Sequence, residues 1–202
     1  MSFLPRRPVL ALAALATLFA ASCATPLKLR GLGNDGLVVG RLKSVNPLEV
    51  VVPKIENASG QRSVPLESLR AEFQKGLVRL RYSPLALEFV DRNVQVTEAS
   101  YMPGTLGEQA SLKVVVTGWD TSRWNSHANL VVDLDVYLLD AIEPQTSRAL
   151  WGGHATRTID LSTQRASFVS EGAMLQRAVE LAVEETLASL PARDAERGPT
   201  TR

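Results

Sequence analysis

The sequence predicts an α+β fold: a mixed, largely antiparallel sheet of about five strands with two main helices packed on it. Three observations predict this. Residues 128–140 alternate apolar and polar, with Leu130, Val132, Leu134, Val136 and Leu138 on one side and Asn129, Asp133, Asp135 and Tyr137 on the other. Side chains on a strand point to opposite faces in turn, so this is a strand with one wet face, the habit of antiparallel sheets. Two flanking runs, 111–120 and 148–161, also have strand character. Two other segments carry the 3.6-residue period of amphipathic helices.

In chain order, a short strand is expected at Leu37–Leu42. Leu48 to Pro53 is a β-branched run suited to a buried strand, and Lys54 to Arg62 is a polar loop. A helix follows, with Ser63 as its N-cap and Pro65 in its first turn. Leu66, Leu69, Phe73, Leu77 and Leu80 form its apolar stripe, and Glu67, Arg70, Glu72 and Lys75 lie off it. Ser83-Pro84 stops it. Leu85 to Val90 reads as a further strand. Asp91 to Gln109 is long and polar, with Pro103, Gly104 and Gly107, and suits a mobile or partner-contacting loop. Three strands then run in series, joined by a polar turn at Thr121–His127 and a connection at Ala141–Ser147. The last helix is expected over Arg165–Leu190, with Phe168, Gly172, Leu175, Val179, Val183, Leu187 and Leu190 inward and Pro191 ending it.

The chain begins with a different kind of signal. Arg6 and Arg7 precede an apolar run, Val9 to Ala21, that closes on Cys23, the one cysteine among 202 residues. Thirteen helical residues reach about 20 Å, short of the roughly 30 Å of a bilayer core but suited to a signal peptide. Ala20-Ala21-Ser22-Cys23 resembles a lipobox, which makes Cys23 the lipidation site. A lipoprotein cysteine carries acyl chains whose buried methylenes each contribute about 0.8 kcal/mol, so the anchor would be permanent. An ordinary secretory cut after Ser22 is the rival reading. The organisation expected is therefore a lipoprotein signal peptide at 1–22, a lipidated N-terminus and tether at 23–46, a periplasmic α+β domain at 47–191 and a disordered tail at 192–202. Ala24 after the cysteine, where an Asp would signal retention, points to the outer membrane and its periplasmic face.

Removing residues 1–22 takes away two arginines and no acid, so the net charge passes from +1 to −1. A nearly neutral chain argues against nucleic acid as a partner. With Cys23 used for lipid, no thiol remains for a disulfide, and the fold must rest on its core. Gly31-x-Gly33-x-x-Gly36 spells a dinucleotide fingerprint but lacks the strand before it and the helix after it, so no cofactor is expected there.

Three stretches resemble a known family: Val50-Val51-Val52-Pro53-Lys54-Ile55-Glu56-Asn57-Ala58-Ser59, then Leu112-Lys113-Val114-Val115-Val116-Thr117-Gly118-Trp119, then Leu138-Leu139-Asp140 through Ala149-Leu150-Trp151. They are similar to small bacterial outer-membrane lipoproteins related to the curli secretion protein CsgG and to the TolB amino-terminal domain. The resemblance spans roughly residues 48–190. It implies a sheet with helices packed against it, and a role as envelope scaffold or accessory subunit. No membrane-inserting hairpin accompanies it, so a secretion pore is not implied.

Chemistry-bearing residues are few. His127 lies in a polar turn and His154 in a strand, each without ligand or catalytic partners at a telling spacing. Asp133 and Asp135 share a solvated face. Ser59 and Ser170 lie outside any nucleophile elbow. Trp119 and Trp151 suit the core, whereas Trp124, in its polar turn, is a candidate partner contact together with Tyr101 and Met102. The expectation is a non-catalytic, lipid-anchored envelope protein acting through protein–protein contacts with an envelope partner or with copies of itself, with no catalytic, metal or cofactor residues. The alternative is an accessory lipoprotein of a lipid or lipopolysaccharide transport system.

Overall fold

The structure is a computed structural model and describes residues 38–94, 101–142 and 149–198. Cys23 and the signal, together with parts of the 91–109 and 141–147 connections, lie outside the described residues.

Three long strands dominate: β5 (Ala110–Asp120), β6 (Asn129–Asp140) and β7 (Ala149–Asp160). They form an antiparallel meander in which Lys113 faces Tyr137, Asp135 faces His154 and Leu130 faces Ile159. The expected α+β class and the inward face of β6 are as the alternation requires: Leu130, Val132, Leu134, Val136 and Leu138 are all fully buried. Each long strand ends in an aspartate that accepts the N–H two residues ahead: Ser122 to Asp120 at 2.8 Å, Ile142 to Asp140 at 2.9 Å and Ser162 to Asp160 at 2.8 Å. An aspartate that bonds its own following backbone mimics a turn and ends the strand.

The rest of the sheet is made of short segments. β1 (Val38–Val39) pairs antiparallel with the start of β7. β2 (Glu49–Val51) and β3 (Glu56–Asn57) both run parallel to β5, and β4 (Ser83–Pro84) runs parallel to β2 at the edge. The order is β1-β7-β6-β5-β2-β4, with β3 also on β5. β2 and β3 are one strand interrupted at Pro53. Val51 faces Ser111 and Glu56 faces Val115, so the interruption holds one residue more than the stretch of β5 beside it. Pro84 has no N–H to donate and is tolerated at an edge.

One layer of helices covers one face. α2 (Leu66–Arg79) and α5 (Glu171–Leu187) pack against each other, and α5 also against β7. Leu69, Phe73 and Leu77 from α2 join Met174, Ala178, Val179, Ala182, Val183 and Leu187 from α5 in the core.

Several expectations are corrected. Leu85–Val90 is not a strand. The residues Leu87–Val94 form a helix, α3, whose buried side is Val90. The Arg70 guanidinium holds Asp91 at 2.8 Å, and a helix presents Val90 and Asp91 to it together. Arg70 and Glu72, expected off the apolar stripe, are buried. Arg70 Nε donates to Val52 O at 3.0 Å, while Glu72 accepts from Lys75 at 2.7 Å and from Gln176 on α5 at 3.0 Å. α2 begins after Pro65, so Ser63 is not its cap.

At the N-terminal end the expected strand at 37–42 is reduced to β1, and the residues after it are folded. Leu42–Val45 form a short helix, α1, with Leu42 and Val45 in the core and Asn46 in the left-handed conformation at its end. The turn at 121–127 contains a one-turn helix, α4 (Trp124–His127). The last helix does not start at Arg165. A 3-10 turn, Ser162–Ser167, precedes it, and α5 opens at Ser170, whose Oγ accepts the Ala173 N–H at 3.1 Å. Residues 192–198, expected to be disordered, lie folded against α1 through Asn46.

Candidate functional site

The face of the β5–β7 meander opposite the helices carries a polar ladder. Asp135 and His154 are directly opposed, and His154 Nδ1 lies 2.8 Å from Asp135 Oδ1. Two residues along, Thr156 Oγ1 donates to Asp133 Oδ1 at 2.6 Å. A bulge on β5 between Val116 and Gly118 places Gly118 opposite Asp133. The Asp133 carboxylate fills the space a side chain would take, since a Cβ at Gly118 would meet Asp133 Oδ2 at 2.2 Å. Beside them Tyr137 is pushed above the usual phenol range by burial and, less, by the Asp135 charge. The two aspartates thus have separate partners across the strand, which is not the shared-proton geometry of a carboxylate pair. The His154–Asp135 pair is about half open to water and acts as a cross-strand pair in the sheet.

The second feature is the outer edge of β7. Its inner edge pairs with β6 along nearly the whole strand. Its outer edge meets β1 only at Trp151 and Gly152, with Gly40 N–H donating to Leu150 O at 2.8 Å. From His154 to Asp160 no strand among the described residues pairs with it. His154, Thr156, Thr158 and Asp160 are exposed along it.

Of the residues expected to meet partners, Trp124 is 9% exposed and belongs to the core cluster. Tyr101 is half-buried, and its hydroxyl donates to Glu108. Glu108 also accepts the N–H groups of Gly104 at 2.6 Å and Leu106 at 2.9 Å, so one buried carboxylate gathers the loop 101–109. Burial, then the Glu108 bond, holds the Tyr101 phenol far above its usual range. Met102 stands out at 63% exposure. Tyr101 and Met102 precede β5 and Trp124 follows it. Eleven strand residues, roughly 35 Å at 3.2–3.4 Å each, separate them, so the three do not form one site.

The chain is similar to several solved bacterial structures at low identity. The PelC dodecamer from Paraburkholderia phytofirmans is 14% identical, over 78% of this chain and 96% of that one, with a TM-score of 0.49. Lipoprotein GNA1162 from Neisseria meningitidis is 19% identical, over 71% and 99%, with a TM-score of 0.48. The LpoB C-terminal domain from Salmonella enterica is 14% identical, over 59% and 84%, with a TM-score of 0.37. No protein-family model matches the chain, and no curated protein matches it.

Among the described residues no group of three or more His, Cys, Asp or Glu side chains is gathered to hold a metal, and no helix is long and apolar enough to cross a membrane. Ser59 and Ser170 have structural work. Ser59 accepts from Gln61 and donates to Asn57 in a tight turn, and Ser170 caps α5. Sequence reasoning missed the His154–Asp135 and Thr156–Asp133 pairs. Both follow a two-residue period, Asp133-x-Asp135 and His154-x-Thr156, and the register of the β6–β7 hairpin would have joined them.

Proposed function

We propose that this chain is a lipid-anchored envelope protein that acts without catalysis, as scaffold or accessory subunit, by adding a protein partner or a further copy of itself to the sheet. The observation that carries the reading is the outer edge of β7. From His154 to Asp160 no described strand pairs with this edge, and alternate residues there aim their backbone groups outward. Such an edge is a template for strand addition, with main-chain hydrogen bonds supplying affinity and alternate side chains supplying specificity. The polar ladder beside it supports a partner with complementary polar groups.

The anchor rests on the sequence: an apolar run closing on Cys23, and Ala24 after it. This supports acylation at Cys23 and a place on the periplasmic face of the outer membrane, as the resemblance to CsgG-related lipoproteins implies. Cys23→Ala is expected to release the chain from the membrane fraction while its circular dichroism stays native. Retention in the membrane would refute the anchor.

The edge is tested by a photo-crosslinking residue at Thr158 in intact envelopes, with the exposed Val78 of α2 as the reference position. A discrete adduct from Thr158, of twice the chain mass or with one other protein, is expected. The competitor for this edge is the chain's own stretch before Val38. Links confined within one chain, or the same adducts from Val78, would overturn the reading.

A further inference from the structure

A groove of about 230 Å³ opens where the C-terminal segment crosses α1 and the end of α2. Leu42 and Pro191 give it an apolar lining, and its charged groups are Lys43, Arg193 and Arg197 with a single carboxylate, Asp194. Local bonds fix its walls. Asn46 Nδ2 donates to the carbonyls of Asp194 at 3.0 Å and Arg197 at 2.6 Å, and Tyr82 donates to Pro191 O at 2.9 Å. Arg197 Nη1 reaches Lys43 O at 3.2 Å. Asp194 Oδ1 accepts the N–H groups of Glu196 at 3.1 Å and Arg197 at 3.4 Å.

Arg193 is the unusual group. It is 8% exposed, and its Nε is buried with no hydrogen-bond partner among the described residues. Its Nη2 makes a long bond, 3.4 Å, to Arg197 O. A guanidinium is always charged, and a buried donor left unpaired is costly, more so on a cation. Lys43, Arg193 and Arg197 all line this recess, with Asp194 as the one carboxylate among the described lining residues, so the lining carries a net positive charge. Such a lining suits an anion. Guanidinium groups meet phosphate oxygens with short, charge-assisted bonds.

We propose that this groove binds a phosphate group, with Arg193 as the central donor and Lys43 and Arg197 closing around it. The phosphate comes either from a free ion or from a lipid headgroup, and the chemistry of the site is the same for both.

The test uses the full-length chain purified in a neutral detergent, with isothermal titration at constant ionic strength. One arm adds inorganic phosphate. The other adds detergent micelles doped with phosphatidylglycerol, with undoped micelles as reference. Binding is expected to weaken roughly tenfold or more in Arg193→Gln, the factor for one charge-assisted hydrogen bond. Lys43 is exposed, so Lys43→Gln should weaken it by about threefold without a folding defect. Asp194→Asn keeps the acceptor for the local turn and removes the opposing charge, so it should tighten binding. Binding of inorganic phosphate with this pattern supports the site with a free ion. Binding of doped micelles only, with the same pattern, supports it with a headgroup. Binding in neither arm overturns the proposal, as does equal affinity in all variants, since Lys43→Gln and Asp194→Asn report even if Arg193→Gln unfolds.

Discussion

Strands β5, β6 and β7 run for eleven or twelve residues and pair antiparallel, whereas β2, β3 and β4 run for two or three and pair parallel. The long strands hold one another through ladders that run most of their length. The short ones are held from outside the sheet. Arg70 on α2 bonds the carbonyl after β2 and ties down α3 through Asp91. One half of the sheet is therefore stabilised by local pairing and the other by side chains from distant elements. Substitutions in the two halves should fail differently.

The largest effect is expected in the meander. Gly152 has φ +133°, and a Cβ there would meet Val136 O at 2.1 Å and Tyr137 Cα at 2.7 Å. The obstacle is backbone of the neighbouring strand, which cannot step aside as a side chain could. Backbone strain of this kind costs about 1–3 kcal/mol before any clash is counted. Gly152→Ala should destabilise the fold by about 3 kcal/mol or more, read as a lower urea midpoint with an unchanged slope. Gly118→Ala in the same meander meets the Asp133 side chain, Oδ2 at 2.2 Å and Cβ and Cγ at 3.0 Å, rather than backbone. A loss as large as that of Gly152→Ala would show that the polar ladder is as rigid as the backbone.

A smaller effect is expected where the parallel half is tied down. Asp91→Ala leaves the buried Arg70 guanidinium with the exposed Glu67, 3.9 Å away, in place of its close carboxylate. Breaking a buried pair costs about 3–5 kcal/mol, and the partial exposure of Asp91 lowers this to about 2 kcal/mol. Loss of α3 before the rest of the protein should show as early amide exchange over 87–94 with the meander still protected. Simultaneous exchange of both regions would mean that the halves do not unfold separately.

This division also explains what could be read from the sequence. The meander was legible because strand periodicity is local: alternation gave β6 its inward face, and Asp120, Asp140 and Asp160 mark the ends of their strands. The parallel half was not, because its elements depend on partners far along the chain. Leu85-Ala86-Leu87-Glu88-Phe89-Val90 is an apolar run that suits a strand by propensity, but Pro84 ends β4 at the edge and Arg70, fifteen residues earlier, recruits Asp91 into a helix. Arg70 itself looked like a solvated helix residue. Its burial is visible only once Val52 and α3 are placed around it. The groove was illegible for the same reason, since Arg193 and Asn46 are 147 positions apart in sequence and their segments meet only in the fold.

The smallest effect is expected at the contact that ties the C-terminal segment to the end of α2. Tyr82 is buried, and its hydroxyl bonds the Pro191 carbonyl. Tyr82→Phe should cost about 1 kcal/mol at neutral pH, the usual worth of one such bond. Its pH signature is more telling. Burial pushes the Tyr82 phenol up from 10.0 to about 12, with Arg193 opposing the rise. The unfolded chain therefore loses this proton at lower pH than the folded one. The contribution is fully present below pH 10 and is lost as pH rises toward about 12. Tyr101 is shifted the same way and adds to the slope. Stability should fall across that window in the native chain, and Tyr82→Phe should flatten part of the fall. If the variant kept the full slope, the phenol at the C-terminal contact would not be the group that titrates, and the closure of the parallel half by residues 191–198 would need another anchor.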